Sequence, residues 1–451
     1  MTGPDQVPQA RETFASRFGT LMTFIGVAVG LGNVWRFPYM VGRFGGAAFV
    51  LVYVVVAVVI GVPALMAEFA LGRYSRRGPV GAFSAGRLPF GKFVGWFFFA
   101  VVTAATGYYT AVIGWVLYHA AAQIASTFGV ELNASAILPP DTGFDAKSFL
   151  LQLACTAAVI LACSVVLLKG LRSGIERAST IIMPALFAVL VILTVRSVTL
   201  PGAWRGIEWF ILKFNAADIT PTVLVAAMGQ AIFSLSLGGT FMVVYGSYLD
   251  ARVRLASPAI WTVAGDTFSA LLAGFAIIPA VFALGLEPTS GPGLLFSTLP
   301  RMFAALPAGA FFGFLFFAGL LGAAYLSDVA AFEALVAGLT DNTRIPRRSA
   351  VWIMAAAVFL IAIPPTINTA IFVPWDLTFG SGMQTLGSLL AVLTIGWCVN
   401  RSAALAELSS RGEYSVPNWL LQWIRFGIPA AILTVGVWWL LTSVLGVARA
   451  V

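Results

Sequence analysis

Apolar residues along the chain fall into long, nearly uninterrupted runs, not into the alternating or one-faced patterns of soluble elements. Eleven runs reach about 20 residues or more, enough to cross the hydrocarbon core of a bilayer as a helix. They lie near 18–43, 46–71, 92–124, 148–168, 176–198, 221–249, 258–285, 309–338, 347–365, 376–400 and 417–446. Two of them are badly built for a continuous helix. The first contains Gly26, Gly30 and Gly32 within seven residues, followed by Asn33 and Arg36, and each Gly inside a helix costs roughly 1 kcal/mol relative to Ala. The sixth places Gln230, Ser234, Ser236, Gly238, Gly239 and Thr240 midway through an apolar run. The pattern predicts a break in both. Unwound backbone at membrane depth is tolerated only where it is buried in protein or lines a wet cavity, and its free carbonyls and N–H groups can bind ions and carboxylates. Two interrupted helices five spans apart point to an inverted-repeat transporter with its binding site between the breaks.

Composition agrees. With 60% hydrophobic and 10% charged residues and a mean hydropathy of +0.94, the chain is too apolar for a soluble domain and is a polytopic membrane protein. If the N-terminus is cytoplasmic, the inner segments hold 18 of the 26 Lys and Arg residues and the outer ones 8. That bias predicts a cell-membrane protein with its N-terminus on the cytoplasmic side, and an odd span count puts the C-terminus outside. The net charge of +8 then follows from topology and needs no nucleic-acid partner. The polar first 17 residues and the long apolar run after them exclude a signal peptide. The basic, Gly/Pro-rich loop 73–92 suits the inside, and the loop 126–147, with Glu131, Asp141 and Asp145, suits the outside. The segment 292–307, apolar but bounded by prolines, is expected to form a short helix capping the outer vestibule. The organisation reads as a cytoplasmic segment 1–17, a transport core 18–400 with repeats 18–198 and 221–400, and a loop and eleventh helix over 401–451.

Candidate enzyme chemistry is missing. His119 is the only histidine, with no Ser beside it and no second His to complete a His–Glu metal motif, so neither nucleophilic nor metal hydrolysis is supported. Cys155, Cys163 and Cys398 all fall in apolar spans and read as small buried hydrophobes. Glu68, Asp266 and Glu333 lie in or near apolar spans and must be paired, protonated or wet.

The stretch GVAVGLGNVWRFP at 26–38, then Gly45-Gly46-Ala47-Ala48-Phe49 and Glu68-Phe69-Ala70-Leu71-Gly72-Arg73-Tyr74, resembles the neurotransmitter:sodium symporter family, most closely its bacterial amino-acid members. The resemblance runs from Arg11 to about Asn400. It implies an all-α membrane protein with the LeuT-like fold: ten core helices in a 5+5 inverted repeat, helices 1 and 6 broken, and here eleven spans in all.

For a first sodium site the resemblance implies the Ala28 carbonyl, the Asn33 side chain, the carbonyl and hydroxyl of Ser234, and Asp266. Many relatives carry Asn at that last position. An Asp there would both ligate sodium and supply the charge that chloride provides elsewhere, with Tyr53 and Gln230 bonding nearby; chloride independence is therefore expected. A second sodium site would use the carbonyls of Gly26, Val29 and Ala323 and the hydroxyl of Ser327, but Leu326 stands where the family has an oxygen ligand. Asp328 cannot replace it, because two residues along a helix turn about 200°. The substrate carboxylate would meet the Leu31 and Gly32 N–H groups and the Tyr109 hydroxyl. The amino group would meet carbonyls near Ala28 and Phe233 and the hydroxyls of Ser236 and Ser327. Ala105, Phe233, Gly239, Ser327 and Ala331 would line the side-chain pocket, whose small Gly239 and Ala331 favour a large hydrophobic or aromatic amino acid.

Arg36 with Asp376 matches an outer gate above Phe233 and Tyr109. Arg11 with Asp341, supported by Phe14, Ser247 and Tyr248, matches an inner gate, and Glu68 matches a brace for the breaks. The function implied is sodium-coupled import of an amino acid by alternating access, with Na⁺ as the coupling ion, a lipid bilayer as the medium, and room for a homodimer. The rivals are a proton- or sodium-coupled carrier of another zwitterion (taurine-, betaine- or GABA-like) and a non-transporting receptor of the same fold.

Overall fold

The computed structural model of the chain describes residues 12–286, 296, 299–304, 307–410, 412–414 and 416–441. Arg11 lies outside them, as does most of the segment 292–307, of which the short helix Leu299–Ala304 is seen. Every regular element among the described residues is helical.

Among the described residues, nine helices are long and apolar enough to cross a membrane uninterrupted. In chain order the elements are α1 (Arg17–Ala28), α2 (Gly32–Phe44), α3 (Ala47–Ser75), α4 (Gly91–Thr127), α5 (Ala146–Leu168) and α6 (Leu171–Val198). They continue with α7 (Pro221–Ser234), α8 (Phe241–Ser247), α9 (Ala256–Ala283), α10 (Gly309–Asn342), α11 (Arg347–Thr366), α12 (Thr369–Cys398) and α13 (Asn418–Trp438). Helices α1 and α2 form one rod bent by 55°; α7 and α8 follow one another across the non-helical stretch 235–240. With that bent pair counted once, the described residues hold up to ten spans; the sixth of the eleven runs read from the sequence is present as the shorter apolar helix α7 and, past the break, α8.

The first break has a clear local cause. Val29 turns extended (φ −73°, ψ 119°) after Ala28, so α1 stops there. A Cβ at Gly30 would lie 2.8 Å from both the Ser327 and the Tyr109 hydroxyl oxygens, so only glycine lets the unwound strand approach α4 and α10. The chain resumes through the π-helical turn Gly32–Arg36, a form that frees backbone groups and recurs at functional sites. In the second break Ser236, Gly238 and Thr240 all adopt positive φ (53°, 86° and 61°). The left-handed region is costly for residues with a side chain, so two of these three positions are held there by their surroundings. One restraint is Glu68 of α3, which accepts a hydrogen bond from the Gly238 N–H at 2.9 Å; its second oxygen has no hydrogen-bond partner among the described residues. Glu68 thus braces the sixth rod and makes no bond to the first.

Around these breaks α3, α4, α8, α9 and α10 pack as a bundle. Many outward positions stay apolar, among them Val58, Leu161, Ile181, Ile260, Phe268 and Trp419, as lipid-facing surfaces require.

Candidate functional site

Four polar side chains from four elements converge where the breaks meet. Asp266, on α9 and fully buried, accepts hydrogen bonds from the Asn33 amide (2.6 Å), the Ser234 hydroxyl (2.9 Å to each oxygen) and the Tyr53 hydroxyl (3.1 Å). No Lys or Arg nitrogen pairs with it among the described residues. A buried carboxylate served only by neutral donors is an expensive arrangement unless a cation joins it, so the donor set suits a small hard cation. The amide orientation differs from the expectation. The Asn33 nitrogen faces Asp266 and Ser234, while its oxygen accepts from the Gly30 N–H at 3.0 Å. Ligation of a cation through the Asn33 oxygen would therefore need the amide to turn over. Gln230 also departs: its amide donates to the Gly32 carbonyl at 3.0 Å and does not bond Asp266.

A second oxygen cluster surrounds Ser327 of α10. Its hydroxyl lies 3.4, 3.3 and 3.0 Å from the carbonyl oxygens of Gly26, Val27 and Val29, and 3.5 Å from that of Ala323. Leu326 is buried beside them, with its Cδ1 only 3.0 Å from where a Cβ on Gly26 would sit. A methyl group thus occupies the flank where another oxygen was sought. Asp328 points elsewhere, accepting from the Thr110 hydroxyl at 3.0 Å and facing the Cys163 thiol at 3.6 Å.

Between the clusters lies a cavity of about 60 Å³, lined by Ala28, Gly32, Ala105, Tyr109, Phe233, Ser234, Ser236, Ser327 and Ala331, all expected from the sequence, and by Gly30, Thr106, Tyr108, Phe241 and Gln384, which were not. The Leu31 N–H is 3.5 Å from the Tyr109 hydroxyl, and the Ser236 hydroxyl donates to the Val27 carbonyl at 2.9 Å. Gly239 is not part of this lining. The Phe241 ring lies against it, with its Cζ 2.6 Å from a would-be Cβ, so the space credited to a small residue is filled by the next aromatic. Thr106 could have been found by spacing, since it sits one helical turn before Tyr109; Phe241 and Gln384 reach the cavity only through tertiary packing.

The model of the sodium:neurotransmitter symporter family matches residues 11–133 and 146–444. The chain belongs to this family. Among its relatives are a sodium-dependent transporter of Haemophilus influenzae, 32% identical over 453 residues and covering 94% of this chain and 97% of that protein, and the sodium-dependent transporter YhdH of Bacillus subtilis, 33% identical over 444 residues, 94% of this chain and 96% of that protein. Its fold is similar to that of MhsT in complex with L-phenylalanine, with a TM-score of 0.83 at 33% identity over 95% of this chain and 99% of that one. The chain is therefore a multi-pass, sodium-dependent symporter with the LeuT-like fold, and not an enzyme.

Within this symporter the gate residues are placed as follows. The Arg36 guanidinium stands over the Phe233 ring at 4.3 Å and forms no contact within ion-pairing distance with Asp376, although the two interact electrostatically together with Tyr108. At the other end Asp341 accepts from the Gly78 N–H at 2.5 Å, while Arg11 lies outside the described residues. Phe14 packs on Tyr245 and Tyr248, with ring centroids 6.5 and 6.3 Å apart, and the Ser247 hydroxyl donates to the Val244 carbonyl. Tyr248 bonds Glu333 at 2.5 Å. Glu333, unplaced from sequence, is fully buried and paired with Arg347 at 2.6 Å, a structural pair that joins the interior of α10 to the first residue of α11.

Proposed function

We propose that this symporter imports an amino acid with Na⁺ by alternating access and without chloride. The observation that carries the reading is the convergence of Asp266, Asn33, Ser234 and Tyr53 on the junction of the two breaks, beside a cavity with an apolar side. Sodium is cargo here: Ala28, Asn33, Ser234 and Asp266 would hold it, the Asn33 amide turning to offer its oxygen. The full charge of Asp266 stands where chloride would otherwise be needed. Gly26, Val29, Ala323 and Ser327 would hold a second, weaker sodium, because Leu326 supplies no oxygen. The Leu31 and Gly32 N–H groups, at the start of a half-helix whose positive end favours anions, would take the substrate carboxylate with Tyr109.

The positive-inside bias puts the N-terminus in the cytoplasm. Arg36 and Asp376 then close the outer side, and α1 swings outward to release cargo inside. Sodium binding favours the outward state, and differential affinity for the two states drives the cycle.

Two cargo classes compete. A hydrophobic or aromatic amino acid is supported by Ala105, Phe233, Phe241 and Ala331 in the cavity wall and by the phenylalanine bound in MhsT. A smaller zwitterion is supported by the volume, about 60 Å³, against the 300 Å³ or more of an ordinary ligand pocket. A thermal-shift screen of the twenty amino acids, taurine, betaine and GABA, with Na⁺ or choline, separates them: ligand at about 100 times Kd stabilises by roughly 2.7 kcal/mol. Stabilisation by phenylalanine or leucine only in Na⁺ supports the first class; a response confined to the small zwitterions moves the assignment to the second. Stabilisation without uptake into proteoliposomes makes the protein a receptor.

A further inference from the structure

The beginning of the chain is tied to the start of α6 by a set of bonds that the gate residues do not account for. Glu176, buried in the π-helical turn Leu171–Glu176, accepts from the Ala15 N–H at 2.8 Å, the Ser16 N–H at 3.0 Å and the Ser16 hydroxyl at 3.1 Å. The same Ser16 hydroxyl caps α1 by accepting from the Gly19 N–H at 2.9 Å. Glycine at 19 leaves room for the carboxylate: a Cβ there would overlap it and push it aside. The arrangement is reciprocal: Glu12 accepts from the Leu171 N–H at 2.9 Å, the first of α6, and Arg172 donates to the Thr13 carbonyl and hydroxyl at 2.7 and 3.1 Å. Each element thus caps the other's orphaned N–H groups. No ion pair involves Glu176 among the described residues, so its only compensation is this chain segment.

We infer that Glu176 is a positioning residue for transport: a latch that holds α1 against α6 while the N-terminal side is shut, and that must release for α1 to move. This rests on the alternating-access reading above. The carboxylate is well suited to the task. Its bonds are charge-assisted and therefore strong for a hydrogen-bond latch, but all three go to one short segment of chain, so they break together. Exposed Arg172 and Glu12 are screened by water; Glu176 is not.

The test is alkylation of a Thr23→Cys reporter on α1, in full-length protein with Cys155, Cys163 and Cys398 replaced by Ser, reconstituted and labelled from the N-terminal side with a membrane-impermeant maleimide. Thr23 is buried in the latched state. The inference expects sodium to slow labelling in the parent, and Glu176→Gln to speed labelling in sodium about tenfold, the effect of losing one charge-assisted hydrogen bond. The apparent sodium affinity of Glu176→Gln should fall by the same factor, with Glu176→Asp in between. Gly19→Ala, which keeps the charge and displaces it, should move in the same direction and serves if Glu176→Gln fails to fold. Sodium-sensitive labelling in the parent, with rates and sodium affinity unchanged in these variants, would overturn the latch alone. Sodium-insensitive labelling in the parent would overturn the alternating-access reading and the latch with it.

Discussion

Asp266→Asn is the most demanding perturbation of the site, because it removes one charge and almost no volume. The carboxylate is fully buried and receives four hydrogen bonds, from Asn33, Ser234 (to both oxygens) and Tyr53. The Asn33 amide and the Ser234 hydroxyl can still bond the amide oxygen, and the Tyr53 hydroxyl can turn to accept from the new NH2, so the fold should survive. What changes is the attraction for a cation: two unit charges about 4 Å apart interact by about 4 kcal/mol at an effective dielectric near 20. At about 1.36 kcal/mol per decade that is close to three orders of magnitude in sodium affinity. The amide keeps one oxygen able to ligate, so the observed loss should be roughly ten- to thousandfold. The assay is a sodium titration of substrate-dependent uptake and of the melting temperature, in chloride and in gluconate. The parent should be indifferent to the anion, whereas Asp266→Asn should need far more sodium and regain part of its affinity in chloride. Equal sodium affinity in both proteins, with no anion effect in either, would remove Asp266 from ion coupling and leave it a structural acceptor.

Other outcomes follow from single contacts. Leu326→Thr deletes buried apolar volume, at a cost of roughly 2–3 kcal/mol, but adds an oxygen beside Gly26 and Ser327. The sodium-free melting temperature should fall while the sodium-induced shift grows and uptake becomes more sigmoidal in sodium; a sodium response unchanged in size and shape would mean that the Ser327 cluster binds no cation. Arg347→Ala leaves Glu333 buried and unpaired and should cost about 3 kcal/mol in denaturant unfolding, a loss largely recovered in the double variant with Glu333→Gln; additive losses would refute the pairing. Gly238→Ala faces both a φ of +86° and the Gln384 carbonyl. It should abolish substrate-dependent stabilisation, and wild-type behaviour would show that the second break does not need this backbone form.

The sequence was most readable where backbone chemistry is local. Glycine spacing located both breaks, because the cost of Gly in a helix and the strain of positive φ depend on the residue itself. Other features depended on which side chains meet, and neither residue type nor periodicity announces the partner. Glu333 found Arg347 only once α10 had turned into α11, and Phe241 closed the space beside Gly239 because a tight break lets the residue two positions on fold back over it. Glu176 meets Ser16 across 160 positions of sequence, and no periodicity in either segment marks that contact.

The same division sets how the molecule can move. Interrupted rods free carbonyls and N–H groups that must be satisfied in every conformation. At the first break they are met by Ser327, and at the second by Glu68. Each partner sits on a separate helix, α10 or α3. Relative motion of these helices must therefore exchange hydrogen bonds at the breaks, and a cation bound among the same oxygens weights that exchange directly. Coupling between ion and movement thus needs no distant pathway: the atoms that would hold the ion are the atoms whose partners change.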